Sequence, residues 1–260
     1  PEDVAKLEDL IFSKKIPLVL KAWLGIFLCM LHAVCRASDV LWSMNLTLSR
    51  DALMGLSWRM KRKATATPWA ALRECLYSDR DWALEFVTCL DKLGLPGKDY
   101  VVLAPNRDFS KMLPRVPENG DVQRAFRACL LMINMPLEKI QTATAHALRA
   151  FLAGASRQYG ASVEDTNEIG RWSHKSGMPR SYDSASCARA LLHQHQLQQA
   201  FRSGWKLVKK GNVPNPIPAK EQEKPPLPTA TTPVKKADED TDMVAGESNC
   251  MVLRTDDSIT

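Results

Sequence analysis

Residues 45–69 read NLTLSRDALMGLSWRMKRKATATPW, and this stretch decides the fold class because the chain on either side of it has a different period. Its apolar residues alternate with polar ones better than they follow a helical spiral, and Ser49-Arg50-Asp51 breaks the alternation with turn-forming side chains. Side chains that alternate across a pleated strand put one face on a core and the other toward water. The stretch therefore predicts a small antiparallel sheet with a basic strand end carrying Arg59, Lys61, Arg62 and Lys63.

Outward from the sheet the apolar spacing is helical. Residues 1–13 and 16–35 read as helices, and the second runs into Arg36-Ala37-Ser38-Asp39, where Ser38 or Asp39 can cap the next turn. Helices are expected again at about 70–76 and 81–93, followed by an extended piece at Tyr100–Leu103 and a proline-broken loop from Pro105 to Gly120. Residues 121–134, 137–158 and 162–170 are helical by period, and a last helix covers about Ser184–Lys209 after the Gly- and Pro-punctuated stretch Ser173–Pro179. From Gly211 the chain is Pro-rich and then acidic, with too little apolar content to offset the entropy of ordering. The expected organisation is a folded domain at 1–210, mainly α with a small antiparallel β-sheet, and a disordered tail at 211–260.

Composition narrows the function classes. The 260 residues are 45% hydrophobic and 25% charged, which suits a globular chain with a sizeable core and excludes collagen-like, coiled-coil and wholly disordered readings. The tail holds 5 basic and 9 acidic side chains, which leaves 30 against 20 in residues 1–210, a net charge of about +10 on the folded part. Such a surplus favours a polyanionic partner such as nucleic acid. Seven cysteines without close pairs read as reduced small hydrophobes in an intracellular compartment, and no second Cys or His pair completes a zinc site. Ile16–Cys35 is apolar enough to be mistaken for a membrane span, but Lys21 and His32 interrupt it, so a core helix is expected and no membrane partner. The chain opens at Pro1 without a Met or a cleavable signal peptide and reads as a fragment or a processed product.

Certain residues are unusual where they fall. Arg36 ends an apolar helix, and taken alone it complements the helix dipole. His146 and Arg149 stand three apart within the small-residue helix TATAHALRAFLAGASRQYG, so both project from one face. Tyr182 follows RWSHKSGMPRS, a stretch that cannot be helical throughout, which lets a loop present its hydroxyl.

The order of these features resembles the signature of the tyrosine recombinases, or phage integrases, over roughly residues 16–190. Arg36-Ala-Ser-Asp39 fits the first box, the basic hairpin follows, His146-x-x-Arg149 comes next, and Gly170-Arg171-Trp172 stands 23 residues beyond Arg149, ahead of Tyr182. The divergent boxes and the tail resemble recombinases of eukaryotic mobile elements, such as Cryptons and DIRS-type retrotransposons, more than bacterial chromosome-dimer resolvases, which would make the protein nuclear. The resemblance implies a site-specific enzyme that cleaves and rejoins double-stranded DNA through a 3′-phosphotyrosine, with no metal, cofactor or ATP. Arg36 and Arg149 would clamp the phosphate, His146 would position it and move a proton, and Tyr182 would be the nucleophile. The proton for the departing 5′ oxygen is assigned to Lys63, with Lys61 close behind, because neighbouring cations lower a lysine's pKa. Trp172 would donate its indole N–H to a phosphate oxygen. Since Trp172 to Tyr182 is one residue longer than the family spacing, Ser173 and His174 stay open as alternates for that contact. Arg59, Lys61, Arg62 and Lys175 are the expected DNA-binding residues.

Relatives also carry an upstream core-binding domain, which is expected to be absent or truncated here, and they assemble as synaptic dimers or tetramers on DNA. The helix SASCARALLHQHQLQQAFRSGWKLV, with apolar positions at Ala188, Leu191, Leu192, Phe201, Trp205 and Val208, is either an intramolecular lid or a helix that docks on a neighbouring protomer. A type IB topoisomerase shares the chemistry, and an inactive domesticated DNA-binding protein shares the pattern.

Overall fold

The structure, a computed structural model, describes residues 1–57, 67–95, 100–170 and 184–208. Its centre is α2 (Leu18–His32), which is buried from Val19 to His32 because its sequence is apolar on every face. α4 (Trp82–Lys92), α5 (Asn119–Met132) and α7 (His146–Gln158) all pack on it. Gly25 lets α4 approach, since a methyl group there would overlap the Phe86 ring. The one lysine of α2, Lys21, is tolerated at 8% exposure because its Nζ lies 2.7 Å from Oε1 of Glu85 on α4. The stretch that resembled a membrane span is thus a core helix, and among the described residues no helix is long and apolar enough to cross a membrane.

A second buried polar group moors α1 (Glu2–Leu10). Glu8, 1% exposed, accepts from His32 Nε2 at 2.9 Å, the Leu76 amide at 2.7 Å and the Tyr77 amide at 3.3 Å, and His32 stacks on Trp82. Cysteines 29, 35, 75, 89 and 129 are buried, and none of them is in a disulfide among the described residues. Burial pushes the Cys75 thiol up to about 12 and the Cys89 thiol up to about 11, so both are inert apolar fillers at neutral pH.

The sheet has the order β1 (Ser43–Leu48), β2 (Ala52–Ser57), β3 (Thr67–Leu72), antiparallel throughout, as the alternating pattern predicts. The turn falls at residues 49–51, where Ser49 donates its amide to the Ala52 carbonyl at 2.8 Å and its hydroxyl oxygen accepts the Ala52 amide at 3.1 Å. Ser43, Ser57 and Thr67 stand in register across the three strands.

Three boundaries differ from the sequence reading. The helix expected at 70–76 does not form: Ala70, Ala71 and Leu72 pair with Met54, Leu53 and Ala52, and a partner strand outweighs the helical preference of alanine. The helix expected over 137–158 is broken into α6 (Leu137–Thr142) and α7. The Thr142 hydroxyl donates to the Lys139 carbonyl at 3.2 Å, and Ala143 turns extended with ψ 137°. The last helix, α9 (Ser184–Arg202), stops short of Lys209 because Gly204 takes φ 92° and the Trp205 amide folds back to the Ala200 carbonyl at 2.9 Å. α3 (Ala37–Leu41) and α8 (Val163–Gly170) complete the order. Residues 211–260, read as a tail, lie outside the described residues.

Candidate functional site

Arg149 sits in the first turns of α7 and is 5% exposed, an expensive place for a permanent charge unless its donors are engaged. Its Nε donates to the Val34 carbonyl at 2.9 Å and its Nη2 to the Gly170 carbonyl at 2.6 Å. These two acceptors belong to the segments that the sequence signature needs. Val34 is two residues before Arg36, and Gly170, the end of α8, is two residues before Trp172. A trans peptide unit spans about 3.8 Å, so Arg36 lies within roughly 8 Å of a residue held by the Arg149 guanidinium.

Val34 reaches Arg149 in an uncommon conformation. It has φ 51°, a left-handed value that costs a β-branched residue on the order of 1–3 kcal/mol. The turn reverses the chain after α2, and Arg36 then starts α3 as its N-cap. Its amide donates to Oδ2 of Asp39 at 3.0 Å, so Asp39 caps from inside the first turn and not from ahead of it. The Arg36 side chain is exposed, and among the described residues it has no hydrogen-bond acceptor. One arginine is therefore buried and fixed while the other is presented to solvent.

The base of the basic hairpin meets the same corner. The Ser43 hydroxyl donates to the Asp39 carbonyl at 2.7 Å and accepts from Trp69 Nε1 at 2.6 Å. Ser43 pairs with Ser57 and Ser57 with Thr67, the residues that flank 58–66. With strands about 4.8 Å apart, Ser57 and Thr67 lie roughly 5–10 Å from the end of the Arg36 box. His146 opens α7, exposed, one helical turn before Arg149, and the Ala145 amide beside it donates to Gln123 Oε1 at 3.4 Å.

Of the predicted residues, Arg36, His146 and Arg149 are therefore brought to one corner by described contacts. Arg59, Lys61, Arg62, Lys63, Trp172, Ser173, His174, Lys175 and Tyr182 lie outside the described residues. α9, which starts two residues after Tyr182 in the sequence, packs on β3 and α8. Its inward face keeps Phe201 and, in part, Trp205 from the apolar positions read, and adds two glutamines. Leu192 is 56% exposed, whereas Gln194 and Gln198 are 1% and 3% exposed beside Leu197, Ala200 and Phe201. Sequence reasoning also missed Val34 and Gly170, whose roles lie in their carbonyls.

Comparison with solved structures finds complexes of a recombinase with DNA junctions. One is a DNA Holliday-junction complex of a Flpe mutant, at TM-score 0.49 and 14% identity, covering 75% of this chain and 50% of that one. The Flpe–Holliday junction complex has TM-score 0.44 at 16% identity, covering 67% and 45%. An FLP recombinase–Holliday junction complex has TM-score 0.47 at 16% identity, covering 72% and 47%. The chain spans about half the length of the recombinase chains it matches. No family model and no curated protein matches it.

Proposed function

We propose that this chain is a tyrosine recombinase that cleaves and rejoins double-stranded DNA. The observation that carries the reading is the convergence at Arg149: one guanidinium holds the carbonyls beside the Arg36 box and beside the Trp172 segment. Residues that the signature spaces far apart in the chain are moored to a single side chain, as a shared phosphate site requires.

The chemistry suits these groups. Attack at phosphorus places added charge on the non-bridging oxygens, and planar guanidiniums meet such oxygens with paired hydrogen bonds. Arg149, oriented by two carbonyls, and Arg36, exposed at the start of α3, form the clamp. His146 stands at the start of α7, where the helix dipole adds to the attraction for an anion. The Tyr182 oxygen forms a bond to phosphorus and loses its proton toward His146, while the bond from phosphorus to the 5′ oxygen breaks and that oxygen takes a proton from Lys63 or Lys61. The 3′-phosphotyrosine retains the energy of the phosphodiester, so rejoining needs no ATP. Trp172, or His174 in its place, would bind a non-bridging oxygen. Arg59, Arg62 and Lys175 would hold flanking phosphates, with self-association on DNA bringing two sites together.

The test is a suicide DNA duplex that traps the covalent intermediate, followed by mapping of the modified residue. The expected adduct is at Tyr182. Tyr182→Phe should bind DNA and form none, whereas Tyr77→Phe and Tyr159→Phe should form it. An adduct that persists in Tyr182→Phe would exclude the assignment.

A further inference from the structure

We propose that Trp69 and Ser43 are positioning residues for Arg36: a buried hydrogen-bond relay from β3 through the Ser43 hydroxyl to the Asp39 carbonyl sets the orientation of α3, and with it the aim of the Arg36 guanidinium. What Arg36 does with a phosphate rests on the recombinase reading above; what orients it does not.

α3 cannot orient itself. With five residues it is far below the roughly 12–15 at which an isolated helix becomes marginal, so its direction is set by what grips its two ends. Its first turn is closed by Asp39, whose Oδ2 accepts the Arg36 amide at 3.0 Å and whose amide donates to the Arg36 carbonyl at 2.9 Å. Its last turn is tied to other segments: the Leu41 carbonyl accepts from the Val101 amide at 3.1 Å, and the Asp39 carbonyl accepts from the Ser43 hydroxyl at 2.7 Å. Asp39 thus carries two ties at once. Its carboxylate binds the backbone of Arg36 and its carbonyl binds the start of the sheet.

The sheet end of the relay is held firmly. Ser43 opens β1, is 3% exposed and pairs with Ser57 on β2. An indole N–H is a donor only, so the Trp69 bond at 2.6 Å takes an acceptor site on the Ser43 oxygen and leaves the hydroxyl proton for Asp39. The relay therefore runs in one direction, Trp69 to Ser43 to Asp39, and each bond polarises the next in a site closed to water. Trp69 is fully buried and stands opposite Gly55 on β2, where an added methyl group would overlap its ring. Only glycine admits the indole there. Buried in this way, Trp69 cannot meet a substrate, and what it contributes to the reaction passes through α3. A long side chain magnifies any turn of the short helix beneath it, and a misplacement of about 1 Å in a reacting group costs on the order of 100-fold.

Two measurements test the relay. The first is single-turnover cleavage of the suicide duplex at saturating protein, with DNA affinity measured separately. Trp69→Phe keeps an aromatic ring in the core and removes the donor, so the rate should fall about tenfold while affinity changes by less than about twofold. In an Arg36→Ala background the same change should cost nothing further, because the relay has no guanidinium left to aim. An unchanged rate in Trp69→Phe, or the same fractional loss in both backgrounds, would overturn the proposal. Ser43→Ala breaks the relay at its middle with a smaller change in volume and should give the same results, which keeps the test decisive if Trp69→Phe does not fold. The second measurement needs no cleavage. A nitroxide is attached to Arg36→Cys in a Cys187→Ser, Cys250→Ser background, and its mobility is read from the EPR spectrum. Trp69→Phe should sharpen the spectrum, whereas Trp82→Phe, which removes an equally buried indole N–H from the Leu72 carbonyl, should leave it unchanged. No sharpening in Trp69→Phe, or equal sharpening in both, would overturn the proposal. A native chain that forms no DNA adduct refutes the recombinase reading alone, and the nitroxide then still decides whether the relay orients α3.

Discussion

Glu8 and Arg149 are two buried charged side chains that do the same physical work in different parts of the molecule. Glu8 is an acceptor that gathers His32 and the Leu76 and Tyr77 amides; Arg149 is a donor that gathers the Val34 and Gly170 carbonyls. Each replaces the water lost on burial with hydrogen bonds from segments distant in sequence. The difference lies in what those segments carry. Glu8 pins α1 and the 76–77 loop, where no signature residue lies, whereas Arg149 pins the chain beside Arg36 and beside Trp172. A buried charge in this fold is therefore a mooring first, and it becomes a site only where the moored segments also present reactive groups to solvent.

Removing the moorings separates these roles. Glu8→Ala leaves two buried donors and one half-buried donor without a partner, at about 1–3 kcal/mol for each buried one, so chemical denaturation should show a loss on the order of 3 kcal/mol. The yield of DNA adduct per folded molecule should stay unchanged. A loss of adduct from fully folded Glu8→Ala protein would erase the distinction between the two regions.

Arg149→Ala and Arg36→Ala should each lower the cleavage rate on the order of 100-fold, by analogy with removing one donor from a preorganised anion site. Only Arg149→Ala should also lower the unfolding midpoint, since Arg36 is exposed and among the described residues has no hydrogen-bond acceptor for its side chain. Equal stabilities for the two variants would mean that the Val34 and Gly170 contacts are not a mooring.

The hairpin lysines sharpen the comparison on the side of the site. A sulfur at the bridging 5′ position leaves without a proton. The general acid is therefore the lysine whose Ala variant is inactive on ordinary DNA and recovers on the 5′-phosphorothiolate, with Lys63 expected over Lys61. Failure of both to recover would move the acid away from the hairpin.

The smallest effect is expected at Asp121, a buried carboxylate whose arginine partners are half exposed. Burial alone would push its carboxyl up, but Arg115 at 2.7 Å, the Glu118 amide and Arg124 together hold it below the ordinary carboxylate range. A depressed folded pKa gives stability that is present above the unfolded value, about 3.9, and is lost as pH falls through the folded one. Asp121→Asn should therefore cost about 1 kcal/mol at neutral pH and flatten the acid limb of the stability curve below about pH 4. An unchanged acid limb would remove Asp121 from the set.

Legibility in the sequence followed the range of the interaction. The buried α2, the sheet and its turn at 49–51 were readable because burial on all faces or on alternate residues leaves a local period. The order of Arg36, His146, Arg149 and Tyr182 was readable because reactive residue types are few. The 70–76 stretch reads as a helix because alanine favours one, and only the presence of β2 beside it decides for a strand. α9 is legible only in part, through Phe201 and Trp205, because the rest of its inward side is defined by glutamines that fit one strand edge, a property of the partner and not of the helix.

The sequence by itself determined a mainly helical domain with a small sheet, an apolar central helix and an ordered set of candidate catalytic residues. Tertiary structure alone decided that Arg149 reaches a carbonyl 115 residues away, that Val34 adopts a positive φ to offer it, and that α9 packs on β3. The physical reason is that backbone carbonyls and strand edges are the same for every residue type. No side-chain pattern records which of them a distant guanidinium or amide will find, and only the packed chain brings the two together.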